Sequence, residues 1–488
     1  MNGRNEASDM RKLPRLVISA AHKSSGKTVT TVGICAALAD SGLKVQSFKK
    51  GPDYIDPGWL STASGRECHN LDKFMIGWDN IDSVFKRHAR LADISIIEGN
   101  KGLYDSIELD GEGSTANLAR RLKAPVVLVI DSSKITRGIA PLLIGYMSFE
   151  PDINIAGVIL NKVSNKRHEK KLRAVIEEFC DIEVLGVIYK SKEMEVLERH
   201  LGLIPAKEDL GLYPAISQIS NMIKSSVNLN RIKEIAESAE PLEVNAIEET
   251  VSVEPKVKIG VVRDHAFTFY YPENLEALRL AGAGLVPVNT LKDERLPYGL
   301  DALYIGGGFP ENFVDKLTEN ISLREDIKLA IENGLPVYAE CGGLIYLAKT
   351  VSWKGKKSDM VGALDCDIAI GEKPKGHGYI KLVPTGSSPW FKGDEEINAH
   401  EFHYGEVINS SHDEYAFKVL VGAGIDNKHD GILYKNVTAS FAHLHHLGCP
   451  RWADSFVNFA ERIAYSKKVK TLSASSRDQK VENKFLSK

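Results

Sequence analysis

The chain has 488 residues, room for two large domains or three small ones. Hydrophobic residues make up 43% and charged residues 26%, a globular composition that excludes a mainly disordered or collagen-like chain. Sixty-two basic against 65 acidic residues leave a net charge of -3, so no basic excess points to nucleic acid. The six cysteines are scattered without a C-x-x-C pair, which argues against a disulfide framework or a Cys-rich zinc site.

Met1 to Arg15 is polar, with no apolar stretch ahead of a cleavage site. No run of about 18 apolar residues occurs. A cytoplasmic protein with no membrane partner is expected. Short apolar runs then follow at Arg15–Ala20, Val45–Lys49, Ile94–Glu98, Pro125–Asp131, Ile155–Asn161 and Glu183–Val187. Amphipathic stretches such as Thr28–Ala39 and Lys166–Glu178 separate them. Nearly continuous apolar strands alternating with helices predict an α/β domain, a parallel sheet covered on both faces.

Near residue 237 the composition turns acidic, and Glu237–Glu254 reads as a linker. The strand–helix rhythm restarts at Val257–Val262, Gly284–Val288, Ala302–Ile305 and Pro336–Ala339. The expected organisation is a first α/β domain over 14–236, a linker over 237–255, a second α/β domain over 256–465 and a disordered lysine-rich tail over 466–488.

Ala21-His22-Lys23-Ser24-Ser25-Gly26-Lys27-Thr28 sits between a predicted strand and a predicted helix. It meets G-x-x-x-x-G-K-[ST] except that Ala21 replaces the first glycine. Phosphate binding at such a loop needs exposed backbone N–H groups, here around Ser24, Ser25 and Gly26, a lysine for the outer phosphates and a hydroxyl for Mg²⁺. Lys27 and Thr28 fill the last two roles. Mg²⁺ also wants a carboxylate, and Asp53 and Glu98 stand at or just past the ends of predicted parallel strands, where ligands of such sheets bind.

In the second half, Val337-Tyr338-Ala339-Glu340-Cys341-Gly342-Gly343 is a strand running into a glycine turn before an apolar helix, Leu344–Ala348. This is nucleophile-elbow patterning with cysteine in place of serine. Gly342, with Gly307 and Gly308 of the run Gly306–Gly308, can aim N–H groups at an oxyanion. The base for a cysteine nucleophile is sought in Phe441-Ala442-His443-Leu444-His445-His446, after a predicted strand Val437–Phe441. The same H-x-H-H cluster also reads as a metal site or a plain polar loop. His400-Glu401-Phe402-His403-Tyr404 reads as a further source of a base or as a strand lining the site.

Together these residues resemble the cobyrinic acid a,c-diamide synthase family. The match covers most of residues 15–465: S-S-G-K-T, F-K-K-G-P-D-Y-I-D-P (Phe48–Pro57), N-L-D (Asn70–Asp72), E-G-N-K-G-L-Y-D (Glu98–Asp105), G-V-I-L-N-K (Gly157–Lys162) and E-R-H-L-G-L-I-P (Glu198–Pro205). In the second half it takes in A-F-T-F-Y-Y-P-E-N-L (Ala266–Leu275), G-G-G-F-P-E, A-E-C-G-G and H-E-F-H-Y. The resemblance implies a P-loop amidoligase domain like dethiobiotin synthetase, followed by a class I, flavodoxin-like glutamine amidotransferase domain. It implies ATP and Mg²⁺, L-glutamine as ammonia donor, and a tetrapyrrole polycarboxylate as substrate, with a homodimer left open.

By motif position, the resemblance makes His443 the base beside Cys341. The subtype usually lacks the acidic third triad member, and His445 stands two residues past His443 where an acid would be. Asn161 falls where the family contacts adenine, with Lys162 beside it. Asp53, Asp56, Glu98 and Asp105 match acidic positions that handle nucleotide, Mg²⁺ or substrate. Lys49, Lys50, Arg66, Arg167 and Arg199 are candidates to meet substrate carboxylates. The reaction implied is amidation of the a and c acetates through an acyl phosphate. Asn100-Lys101 and the ending H-L-H-H depart from the commonest pattern. They resemble branches that amidate sirohaem-type tetrapyrroles or nickel-sirohydrochlorin, and the same chemistry on those macrocycles is the alternative. A P-loop switch ATPase carrying an inactive glutaminase-like domain is the rival of another class.

Overall fold

The computed structural model describes residues 9–191, 212–244 and 254–485. The chain divides into two compact units, with the boundary after Glu249. In the first unit the main sheet has seven strands. They are β2 (Arg15–Ala20), β3 (Val45–Lys50), β4 (His69–Leu71), β5 (Ile94–Glu98), β6 (Val126–Asp131), β7 (Ile155–Val163) and β8 (Val184–Tyr189). A short strand β1 (Asp9–Arg11) precedes them.

The sheet order is β4-β3-β5-β2-β6-β7-β8, and every pairing is parallel. The reason is visible strand by strand. All residues of β2 and β5 are buried, so these strands need cover on both faces, which helices in the crossovers provide. Helix α1 (Lys27–Asp40) packs so closely on the helix Leu212–Ser226 that a Cβ on Gly33 would lie 2.4 Å from Ile223 Cγ1. The chain crosses over β2 between β5 and β6, so the crevice at the carboxyl end of β2 lies at a topological switch point.

Part of the expected linker belongs to this unit. Glu237 closes the helix Leu229–Glu237, and Leu242–Val244 pairs antiparallel with β1. The anchor is Arg15, fully buried, whose guanidinium donates to the carbonyl oxygens of Leu13, Leu122, Lys123 and Glu240. Burial pushes its pKa down to about 10. Residues 245–253 of the linker lie outside the described residues.

In the second unit the strands Ala283–Val288, Val257–Val262, Ala302–Ile305, Val337–Glu340 and Val437–Ser440 form the parallel half of a nine-stranded sheet, in that spatial order. Four antiparallel strands extend it: His429–Tyr434, Tyr415–Val421, Gly376–Pro384 and Ile397–His403. A separate four-stranded sheet, built on Ala348–Trp353 and Leu364–Ile370, stands beside it. Gly376–Pro384 of the antiparallel extension mixes buried and part-exposed residues, as one-sided antiparallel strands do, and no continuous apolar run marks it. The last helix runs from Trp452 to Phe485. This differs from the expectation of a disordered tail from 466: the helix, anchored by Trp452, Phe456 and Ala460 in the core, runs on through that stretch to Phe485. Among the described residues no helix is long and apolar enough to cross a membrane.

Candidate active sites

In the first unit the phosphate loop leaves the central strand β2. Gly26 caps α1 with φ 87°, and Ser24 also sits at positive φ, 60°. Ala21 does not, so the backbone there tolerates a Cβ and the missing glycine costs nothing in geometry. Its carbonyl oxygen accepts from the Tyr146 hydroxyl at 2.5 Å. The loop is also tied from β7. Asn161 Nδ2 donates to Ser25 O at 2.9 Å, and Lys162 Nζ donates to Ser24 O at 2.8 Å. Asn161 thus stands at the phosphate loop itself, its amide committed to the loop backbone.

Lys27 is buried, and that burial holds its pKa below the usual lysine value, with the negative charge of Glu98 opposing the shift. Thr28 Oγ1 donates to Glu98 Oε1 at 2.7 Å. Glu98 is 0% exposed, and its second oxygen, Oε2, has no hydrogen-bond partner among the described residues. Burial raises the pKa of this carboxyl, while Lys49 opposes the shift. A hydroxyl beside a buried carboxylate with an unsatisfied oxygen is an all-oxygen donor set that fits Mg²⁺.

Lys49 Nζ lies 2.9 Å from Glu98 Oε1 and 2.5 Å from Asp56 Oδ2. Its charge is therefore taken by two carboxylates within the site. Asp53 Oδ1 accepts from the Ile55 and Asp56 N–H groups at the start of the helix Ile55–Ser64. Burial, then the nearby Asp56 charge, pushes its pKa up to about 7. Asp105 Oδ2 accepts from Gly102 N at 2.7 Å, closing the loop that follows β5. Lys50 is half-buried at the end of β3, and burial lowers its pKa. Arg66 donates to Gln46 Oε1, and Arg167 is exposed. Arg199 and the motif Glu198–Pro205 lie outside the described residues.

In the second unit Cys341 ends the strand Val337–Glu340 at φ 47°, ψ -98°, a conformation that non-glycine residues rarely adopt. This is the strained turn that a nucleophile elbow requires. The surroundings leave no room for side chains. A Cβ on Gly342 would lie 3.0 Å from Gly308 N, and one on Gly308 2.0 Å from Ala266 O. The amide nitrogen of Gly308 is thereby brought close to Gly342 at the elbow. Burial, then the charge of Glu311, pushes the Cys341 thiol up, so it rests protonated and needs a base.

His443 is 1% exposed and packs its ring over Gly307, where a Cβ would lie 2.3 Å from Cε1. Its backbone pairs with that of His400, so the H-E-F-H-Y segment is a strand beside the site. Cys341 Sγ donates to Phe402 O of that strand at 3.6 Å. The H-x-H-H residues diverge. His445 Nε2 faces Glu273 at 3.5 Å and its ring lies against Tyr271, while His446 N donates to Asn274 Oδ1. Asn274 Nδ2 in turn donates to Leu444 O at 2.7 Å. The Y-P-E-N segment is therefore the clamp of the histidine loop. Two further carboxylates hold this site together: Asp430 beneath Phe441 and Ala442, and Glu340 beneath Leu444. Sequence reasoning passed over both. For Glu340 the available signal was an acid closing an apolar strand.

The two units define a two-domain enzyme, with a P-loop nucleotide-binding unit followed by a glutamine amidotransferase unit. Two family models match accordingly: a CobQ/CobB/MinD/ParA nucleotide binding domain over residues 17–204 and a CobB/CobQ-like glutamine amidotransferase domain over 258–449. A cobyrinate a,c-diamide synthase of Magnetococcus marinus is 46% identical over 464 residues, covering 93% of this chain and 99% of the relative. Proteins of the same description are similar too. That of Archaeoglobus fulgidus is 41% identical over 450 residues, covering 92% of this chain and 98% of its own. That of Caldanaerobacter subterraneus is 40% identical over 430 residues, covering 88% and 94%. The chain belongs to the cobyrinate a,c-diamide synthase family, and is a carbon–nitrogen ligase with glutamine amidotransferase chemistry.

Proposed function

We propose that this chain amidates the a and c acetate carboxylates of cobyrinate, using ATP and glutamine. The observation that carries the reading is the presence in one chain of a phosphate loop with its Thr28–Glu98 pair and a cysteine elbow with His443. The names of the relatives, similar over nearly the whole chain, support the macrocycle.

In the second unit Cys341 Sγ attacks the side-chain carbonyl of glutamine while His443 takes the thiol proton. The amides of Gly308 and Gly342 receive the oxyanion, with Gly307 forming the floor under His443. The C–N bond breaks, His443 returns the proton to the leaving nitrogen, and ammonia leaves. Water then hydrolyses the thioester to glutamate. In the first unit a substrate carboxylate oxygen attacks the γ-phosphorus of ATP, giving an acyl phosphate and ADP. Ammonia attacks the acyl carbon and phosphate leaves. Lys27 and the N–H groups of Ser24–Thr28 hold the phosphate oxygens, and Asn161 and Lys162 hold the loop in shape. Thr28 and Glu98, with Asp53 nearby, are the residues that would hold Mg²⁺, which supplies charge neutralisation on the phosphates. Asp56 fixes Lys49, Asp105 fixes the loop after β5, and Lys50 and Arg199 are assigned to substrate carboxylates.

The test is product mass. Cobyrinate with ATP, Mg²⁺ and glutamine should lose the small mass of two carboxylate-to-amide conversions. Cys341→Ala should abolish the glutamine-driven reaction and spare the ammonia-driven one. Amidation of a sirohydrochlorin in place of cobyrinate would overturn the substrate, and loss of both reactions in C341A would overturn the two-site mechanism.

A further inference from the structure

The position two residues past His443, where a triad would carry its acid, is occupied by His445, and His445 is engaged elsewhere. Its ring lies 4.6 Å from that of Tyr271 and its Nε2 faces Glu273 at 3.5 Å. The Nδ1 edge of His443 meets a different carboxylate. Glu340 Oε2 lies 3.6 Å from His443 Nδ1, and both side chains are almost wholly buried. Glu340 is the residue immediately before the nucleophile, at the end of the strand Val337–Glu340.

The carboxylate is held from three further directions. Tyr338 donates its hydroxyl to Oε1 at 2.7 Å, Tyr304 donates to Oε2 at 3.1 Å, and Leu444 N donates to Oε1 at 3.1 Å. Burial and the Glu340 charge raise the pKa of both phenols, so they remain donors. The Leu444 bond fixes the backbone next to His443, while Oε2 faces its ring. One carboxylate therefore sets both the position of the histidine loop and the environment of Nδ1.

We propose that Glu340 is the positioning acid of the Cys341–His443 pair, supplied from the residue before the nucleophile. Its Oε2 orients the imidazole with the proton on Nδ1, leaving Nε2 to accept from the thiol. It then stabilises the imidazolium formed when that proton moves. The 3.6 Å separation is longer than a hydrogen bond, and contacts of this kind tighten when substrate closes the site. The pair is thereby a triad whose acid has moved from the histidine loop to the nucleophile strand.

This inference rests on the amidotransferase reading, and the experiment separates the two. Glutamine hydrolysis and ammonia-driven amidation are measured for the full chain and for Glu340→Gln, which keeps the shape and removes the charge. The expected result is a fall in kcat for glutamine of about 10²-fold or more, with KM within about threefold and ammonia-driven amidation unchanged. Glu340→Asp restores the charge one methylene further back and should recover at least about tenfold of the lost kcat. If E340Q does not fold, E340D alone decides, with a lowered kcat and unchanged KM expected. A kcat for E340Q within about threefold of the parent, an E340D no faster than E340Q, or a loss carried by KM and thermal stability together overturns the role of Glu340. A parent chain that hydrolyses no glutamine overturns the proposed function, and this role with it.

Discussion

Replacing Gly307 by alanine puts a methyl group into the floor under His443. The new Cβ would lie 2.3 Å from Cε1 and 3.2 Å from Nε2 of the ring. Ordinary carbon contacts begin near 3.5 Å, so the imidazole must retreat by roughly 1 Å. The backbone itself is not strained by the change, because Gly307 is not at positive φ. The perturbation is thus confined to the His443 ring and the neighbouring N–H groups. A misplacement of about 1 Å in a reacting group costs on the order of 10²-fold, or about 2.7 kcal/mol of transition-state stabilisation. The assay is glutamate release from glutamine, run beside ammonia-driven amidation and a thermal unfolding scan. Glutaminase should fall by that factor while the ammonia reaction is retained. A G307A variant with glutaminase within threefold of the parent would show that His443 is not the base.

Asn161→Ala leaves the buried carbonyl of Ser25 without its donor, a loss of about 1–3 kcal/mol in the phosphate-ready loop. ATP affinity by titration calorimetry should weaken about 5- to 100-fold, with glutamine hydrolysis unaffected. Ala21→Gly should bring no gain in ATP affinity and a stability loss of about 0.5–1 kcal/mol, since Ala21 is not at positive φ. Asp430 is fully buried, and burial pushes its carboxyl from 3.8 up to about 6 even though the Gly431, Phe441 and Ala442 N–H groups donate to it. The folded chain therefore holds a proton that the unfolded chain releases. Its contribution is full below about pH 3.8 and is lost as pH rises through about 6. Relative to Asp430→Asn, the parent should lose on the order of 3 kcal/mol of second-unit stability across that window, read by thermal unfolding. A pH-independent difference between the two proteins would refute the assignment.

Local patterns exposed the parallel strands, the phosphate loop and the cysteine elbow, because each is contiguous. A fully buried strand reads as an apolar run, and a phosphate loop or elbow is a few residues of backbone whose glycines must be local. The antiparallel extension of the second sheet was less legible, since one-sided strands mix buried and part-exposed residues. The helical continuation to Phe485 hid behind lysines and serines that carry no apolar stripe. The acidic stretch read as a linker conceals a strand, because the pairing of Leu242–Val244 with Asp9–Arg11 spans most of the unit.

The sequence by itself determined which chemistries the chain carries: a phosphate loop with its lysine and hydroxyl, and a cysteine set on a glycine turn. Only the tertiary structure decided how those groups are wired. It tied Asn161 and Lys162 to the phosphate loop, paired Lys49 with Asp56 and Glu98, and left one buried oxygen of Glu98 without a partner among the described residues. It turned His445 toward Glu273 and faced His443 with Glu340, two residues about a hundred positions apart. Backbone geometry is dictated by neighbours along the chain, whereas the charge environment of a buried side chain is set by whichever strands the sheet places beside it.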